Sequence, residues 1–111
     1  MKDEFKIIVN IKRLIKYMDK VIVNFPNNER VLKDNINKIL YEILELTYLA
    51  NEVDERYLYQ KKIIVKIKVL DFYLKIACDR RYISYKKYVK VCNILLNILR
   101  MLYGWIKYEK V

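Results

Sequence analysis

The residues best able to do chemistry are lysines that recur at helical spacing in the third quarter of the chain. Lys61, Lys68 and Lys75 are seven residues apart, so on an α-helix they lie along one ridge. Further basic residues follow in the next turn and helix: Arg80, Arg81, Lys86 and Lys87. Lysine and arginine bind phosphate groups and displace condensed counterions. This set therefore predicts a surface that contacts a nucleic-acid backbone.

The sequence offers little for catalysis. It contains no histidine, no glycine-rich phosphate loop and no nucleophile spaced from a base as in known motifs. Asp71 and Asp79 are eight residues apart, which separates them by more than two helical turns. Each is four residues from Lys75, and pairing with that lysine is the simpler interpretation of both carboxylates. We therefore predict a protein that is not an enzyme.

The two cysteines, Cys78 and Cys92, form no CxxC motif. Without histidine they provide no set of zinc ligands. Each is better explained as a small apolar residue on a helix face, in a reducing compartment. We therefore predict a cytoplasmic protein that uses no metal and no cofactor.

Charge and apolar content restrict the class of partner. The 111 residues carry a net charge of +10 at pH 7, which favours a nucleic acid or an anionic membrane surface. Codon bias towards lysine is the alternative explanation of the charge. The longest apolar window, 88–106, is interrupted by Lys90, Asn93, Asn97 and Arg100. Such polar residues argue against a membrane-spanning helix, and we predict no membrane partner.

Long helices must position these residues, since the chain has one glycine and one proline and hence few turns. Apolar residues spaced three and four apart predict four helices in one domain over 1–111. Their expected bounds are about 3–24, 31–52, 54–78 and 84–108. Pro26 ends the first helix, while Asp3, Asp54 and Ser84 are expected N-caps. The short connections predict an all-α, antiparallel up-down-up-down four-helix bundle.

Two helices carry a second apolar stripe beside the seam expected to face the core. The expected core seams of helices one and two are Ile7, Ile11, Leu14, Met18, Val21 and Phe25, and Leu32, Ile36, Ile39, Ile43, Leu46 and Ala50. Those of helices three and four are Ile63, Ile67, Leu70, Leu74 and Ala77, and Tyr85, Tyr88, Cys92, Leu95, Leu99, Leu102 and Ile106. The second stripes are Val65, Val69, Phe72 and Ile76, and Val91, Ile94, Ile98, Met101 and Trp105. A soluble monomer rarely exposes so much apolar surface, so we assign the second stripes to an oligomer interface. A wide core reached from both sides of each helix is the alternative, and the pattern leaves open which stripe is core.

Three segments of the chain carry a resemblance to a known family. They read Asn-Phe-Pro-Asn-Asn-Glu-Arg at 24–30, Tyr-Ile-Ser-Tyr-Lys-Lys-Tyr at 82–88 and Arg-Met-Leu-Tyr-Gly-Trp-Ile-Lys at 100–107. In order and composition these segments resemble the Avd proteins, the accessory variability determinants of diversity-generating retroelements. The Arg-Met-Leu-x-Gly-Trp run is the specific part, and the resemblance covers most of the chain.

The resemblance implies a barrel-like homopentamer of antiparallel four-helix bundles. It also implies a basic protein that binds RNA or DNA, associates with a reverse transcriptase and supports error-prone copying of template RNA into cDNA. The chain is similar as well to four-helix-bundle proteins encoded in ribosomal-RNA intervening sequences. This second likeness leaves a structural or protein-interaction bundle without a reverse-transcriptase role as the alternative.

The chain departs from the Avd pattern at three positions where that pattern has glycine. Arg81 occupies the glycine position in the turn before Ile83-Ser84, and Leu99 and Tyr103 replace two glycines near the C-terminal end. A left-handed backbone at Arg81 would cost about 1–2 kcal/mol.

Overall fold

The computed structural model describes residues 5–110. Their four helices are α1 (Lys6–Ile22), α2 (Arg30–Glu52), α3 (Tyr57–Asp79) and α4 (Tyr85–Lys110). Each helix packs against its neighbours in sequence, and α4 also packs against α1. Within residues 5–110, the diagonal pairs α1–α3 and α2–α4 make no close backbone contacts. The prediction of an all-α four-helix bundle is confirmed, with dimensions of 46 × 25 × 23 Å.

The helix ends depend on local capping, which the sequence predicted unevenly. The Ser84 hydroxyl accepts a hydrogen bond from the Lys87 N–H at 3.2 Å, which confirms it as a cap of α4. The prediction of Asp54 as the cap of α3 is wrong, because α3 begins at Tyr57 and Arg56 occupies the N-cap position. The predicted cap Asp3 lies outside the described residues.

The core is built mainly from the predicted seams of α1, α2 and α3. On α3 the whole seam is buried: Ile63, Ile67, Leu70, Leu74 and Ala77. On α1, Ile8 and Ile22 are buried together with the predicted seam residues, so the core reaches further around this helix. On α3 the second stripe stays outside, since Val65 and Phe72 are 58% and 59% exposed. The wide-core alternative therefore holds for α1 but not for α3.

The face of α4 that packs into the core matches neither of the two predicted stripes. Its buried residues are Val91, Leu95, Ile98 and Leu102, which come from both stripes and lie between them. The assignment of Val91 and Ile98 to an oligomer interface is therefore wrong, because both fill the core of the protomer. The assignment of Tyr85 to the core seam is also wrong, since its side chain is 73% exposed.

Over Tyr85–Tyr108, α4 is long and apolar enough to cross a membrane, judged on length and composition alone. Core helices of soluble proteins meet the same criteria, so one such helix is weak evidence for a span. In the bundle, α4 packs against α1 and α3, and its inner face is buried against them.

The turn after α3 forms a Schellman motif around a left-handed arginine. The Tyr82 N–H donates to the Ala77 carbonyl at 2.8 Å, and the Arg81 N–H donates to the Cys78 carbonyl at 3.0 Å. These bonds satisfy carbonyls at the helix end. Arg81 has a φ of 64°, a conformation that glycine adopts without steric cost. Arg81 therefore strains the turn.

Replacing Arg81 with glycine is expected to stabilise the bundle by about 1 kcal/mol, because the left-handed penalty on the β-carbon is removed. Urea unfolding followed by circular dichroism measures the change. Arg81→Ala is the matched control, since it removes the guanidinium but keeps the β-carbon. Equal stabilities for the glycine and alanine variants would contradict a strained turn.

A polar cluster ties this turn to the loop between α1 and α2. The Tyr82 hydroxyl donates a hydrogen bond to the Glu29 carboxylate, and Arg80 Nη1 lies 3.2 Å from Glu29 Oε2. The rings of Tyr82 and Phe25 pack with centroids 5.4 Å apart. The hydrogen bond to Glu29 is the main cause that raises the pKa of Tyr82. The two loops at this end of the bundle are thus held together.

The free energy of unfolding is expected to fall as the pH rises above about 10. The pKa values of Tyr82 and Tyr88 are raised in the folded state, by the Glu29 hydrogen bond and by burial respectively. A raised folded-state pKa stabilises the fold below the unfolded pKa, and this stability is lost as the pH rises further. Urea unfolding between pH 8 and 11 measures the decline. The Tyr82→Phe/Tyr88→Phe variant should decline less steeply, and an equal decline would contradict the assignment.

Candidate nucleic-acid interface

The predicted lysine ridge is present on the outer surface of α3. Lys61, Lys68 and Lys75 are all exposed. At 1.5 Å rise per residue, neighbouring lysines are about 10 Å apart along the helix. The ridge therefore runs along most of α3 and presents three cations to solvent.

The other predicted basic residues cluster at one end of the bundle. Arg80, Arg81, Lys86 and Lys87 are exposed in the turn after α3 and the first turn of α4. Lys75 lies in the last turns of α3, so the structure brings it near this cluster. Lys61 lies at the opposite end of the ridge, about 20 Å from Lys75. Arg80 also pairs with Glu29, which offsets part of its charge.

A groove between α3 and α4 borders the ridge. It has a volume of about 380 Å³ and is lined by Ile67, Lys68, Asp71, Tyr88, Cys92, Leu95, Leu96 and Leu99. Its wall thus combines one lysine, one carboxylate and a largely apolar floor. The Leu96 side chain is 52% exposed, so apolar surface remains accessible beside the lysines.

Asp71 interacts with α4 and not with the lysine next to it. The Cys92 thiol lies 3.7 Å from the Asp71 carboxylate and donates to it. Among residues 5–110, Lys75 forms no ion pair within 4 Å with Asp71 or Asp79, so the predicted pairing is wrong. Burial raises the pKa of Cys92, and the Asp71 carboxylate adds to that effect. The raised pKa favours the neutral thiol of Cys92. Because Lys75 is exposed and pairs with neither carboxylate, its ammonium group is accessible at the surface.

The side of α3 that faces α2 has a mixed charge. Lys66 Nζ lies 3.1 Å from Glu42 Oε1. A second groove, of about 590 Å³, is lined here by Glu42, Glu45, Leu46, Leu49, Leu58, Lys61, Lys62, Val65 and Lys66. Acidic residues offset the lysines of this groove. Lys61 thus lies in this mixed-charge groove, whereas Lys68 lines the groove on the α4 side, whose lining includes one carboxylate.

The remaining interface residues of the predicted stripes are only partly accessible. Val65 and Phe72 are exposed on α3, whereas Val69 and Ile76 are half-buried. On α4, Ile94, Met101 and Trp105 are also half-buried. Met101 Sδ lies 3.7 Å from Asn10 Nδ2, and the Trp105 ring packs edge-on against Phe5 at 4.8 Å between centroids. Among the predicted interface residues, Val65 and Phe72 of α3 thus have the most exposed side chains.

Sequence reasoning missed cation–aromatic contacts between helices. Lys90 Nζ lies 4.8 Å from the Tyr17 ring centroid, joining α4 to α1. Lys12 Nζ lies 5.5 Å from the Tyr48 centroid, joining α1 to α2. Such pairs stabilise exposed sites by about 0.5–1 kcal/mol. They depend on the axial offset between helices, for which the sequence carries no local signal.

Comparison with known protein families confirms the resemblance to the Avd proteins. The sequence profile of the bAvd-like family matches residues 6–109. The matched range includes α1, α2 and α3, nearly all of α4, and every basic residue of the candidate interface. A search of curated proteins found no match. The chain belongs to the bAvd-like family.

Proposed function

We propose that this chain is a non-enzymatic nucleic-acid-binding accessory of a retroelement reverse transcriptase. In this role it supports error-prone cDNA synthesis from template RNA, in the cytoplasm. The exposed ridge of Lys61, Lys68 and Lys75 carries the proposal, together with membership of the bAvd-like family. The ridge supplies cations in a row, which suits a phosphate backbone.

The proposed mechanism is electrostatic. A net charge of +10 per chain raises the local concentration of a polyanion and speeds its association. No element of the described bundle resembles a base-reading motif such as a helix-turn-helix or zinc finger. Binding is therefore expected to depend strongly on salt and weakly on sequence.

Self-association would multiply this effect. We propose a barrel-like homopentamer, with the exposed residues Val65 and Phe72 in the subunit contacts. Several linked basic surfaces bind one polymer far more tightly than a single surface does. The apolar surface left outside the contacts is proposed to dock the reverse transcriptase.

The second candidate function is a structural or protein-interaction bundle that binds no nucleic acid. The groove between α2 and α3 favours it, because Leu49, Leu58 and Val65 are exposed there beside charges of both signs. Apolar centres with polar rims are typical of protein interfaces. In this reading the lysines of α3 serve solubility.

Fluorescence anisotropy with a generic single-stranded RNA separates the two functions. Seven phosphate contacts predict a slope of about −5 for log affinity against log salt, which means a roughly thousandfold loss between 50 and 200 mM. Absence of binding at 50 mM salt would leave the protein-interaction function standing. A reconstituted cDNA synthesis assay with a retroelement reverse transcriptase tests the accessory role, which requires a change in yield or error rate when the protein is added. Liposome flotation tests the expected absence of membrane binding.

A further inference from the structure

We propose that this protein binds single-stranded nucleic acid along the α3–α4 groove, with bases stacked on exposed tyrosines. This inference rests on the proposed function and specifies its ligand class. It goes beyond backbone contact, because it assigns part of the affinity to base faces. Three observations carry it: exposed aromatic rings, a row of lysines between them and a groove floor that is apolar.

Exposed tyrosines lie at both ends of the groove on the α4 side. Tyr85 is 73% exposed and Tyr103 is 50% exposed. The ring of Tyr85 packs against Tyr88, with centroids 6.4 Å apart, and Tyr88 lines the groove. Tyr103 lies one turn beyond Leu99, another lining residue. Eighteen residues separate the two tyrosines, so they are about 27 Å apart along α4.

The lysine ridge borders the same groove on the α3 side, except at Lys61, which lines the groove between α2 and α3. Lys68 is itself a lining residue. Because α3 and α4 are antiparallel and joined by a short turn, Lys75 lies towards the Tyr85 end and Lys61 towards the Tyr103 end. Lys61 Nζ also lies 5.4 Å from the centroid of Tyr57, another ring that is 48% exposed. The row of lysines therefore lies between exposed rings at its two ends.

The local chemistry suits a polyanion that also presents apolar faces. Between Tyr85 and Tyr108, α4 contains no Asp or Glu. Asp71 is the one carboxylate among the groove-lining residues, and it accepts the thiol of Cys92. Leu96 and Leu99 provide the floor on which a base edge can lie. Positive grooves with aromatic platforms bind single strands, because every base has a face that can stack.

A duplex would use this surface poorly. Its bases are already stacked on one another, so its outer surface offers phosphates and base edges but no free faces. The lysines would still contact a duplex backbone, whereas Tyr85 and Tyr103 would gain no partner. The preference for single strands therefore depends on the tyrosines and not on the lysines.

Anisotropy titrations with three labelled probes test the inference. The probes are a 20-nucleotide oligouridylate, its duplex with oligoadenylate, and a single strand of equal length without bases. The Tyr85→Ala/Tyr103→Ala variant is expected to bind the oligouridylate about 30-fold more weakly than wild type or worse, from the loss of two stacking contacts. Its affinity for the baseless strand should stay within threefold of wild type.

Two further variants serve as controls in the same titrations. Tyr85→Phe/Tyr103→Phe keeps both rings and should restore oligouridylate binding. Tyr41→Ala removes a tyrosine that is 56% exposed on α2, outside the groove, and should leave affinity unchanged. Far-UV circular dichroism checks that every variant is folded.

The outcomes distinguish a failure of base stacking from a failure of nucleic-acid binding as a whole. If wild type binds the oligouridylate and its alanine variant binds equally well, the stacking proposal is overturned and nucleic-acid binding stands. Equal affinity of wild type for the oligouridylate and the baseless strand would overturn it in the same way. If wild type binds none of the probes, the proposed function fails as well.

Discussion

Replacing Lys61, Lys68 and Lys75 with glutamate is expected to weaken RNA binding at least 100-fold at 150 mM salt. Three phosphate contacts are lost and three repulsive charges take their place, which should reduce the salt slope by about 2. The three side chains are exposed, so the bundle should stay folded. Anisotropy at several salt concentrations measures both the affinity and the slope.

A charge-matched triple variant controls for net charge. Arg13, Lys16 and Lys20 are exposed on α1, the helix that lies diagonally across the bundle from α3. Their replacement with glutamate lowers the net charge by the same amount and should weaken binding much less. If both triple variants lose affinity equally, the protein binds through its overall charge and the ridge is not a site. If the ridge variant keeps full affinity, the assignment of these lysines is wrong.

Replacing Ile98 with alanine is expected to destabilise the fold by about 2–5 kcal/mol, the usual range for a large aliphatic residue truncated in a core. Ile98 is 1% exposed, whereas Phe72 is 59% exposed. Phe72→Ala should therefore change the free energy of unfolding by less than about 1 kcal/mol. Urea unfolding at low protein concentration compares the two variants directly. A small loss for Ile98→Ala would contradict the placement of this residue in the protomer core.

The same residues distinguish the core from the proposed subunit contact. Val65→Ser/Phe72→Ser should remain folded but self-associate less, because the exposed stripe of α3 becomes polar. Light scattering across a concentration series measures the particle mass. If the variant keeps the wild-type mass, this stripe is not the interface. A wild-type particle that stays at 13.7 kDa at high concentration would remove the oligomer from the proposed function.

The sequence pattern predicted the packing of some helices better than others, for a physical reason. On α3, lysines separate the seam of Ile63, Ile67 and Leu70 from the second apolar stripe, so each stripe is narrow and the expected seam is the one that is buried. On α4, the two apolar stripes merge into one wide face, and the part of that face that turns inward is decided by the neighbouring helices. Val91 and Ile98 were placed wrongly for this reason.

The sequence likewise predicted one part of the candidate site and not the other. The lysine ridge follows from a seven-residue repeat within one helix, and the sequence sufficed to find it. The path shared by Tyr85, Tyr103 and the ridge depends on the axial register of α3 against α4. That register is set by the length and geometry of the turn at 80–84 and by core packing. Helix-face patterns carry no information about it.

Arg81 places two properties of this protein in opposition at one residue. Its strained backbone lowers the stability of the turn, while its exposed guanidinium adds a cation at the basic end of the bundle. A glycine there would yield a sturdier protein with a weaker hold on a polyanion. Selection for thermal stability alone would therefore favour glycine at this position and lower the affinity for a polyanion.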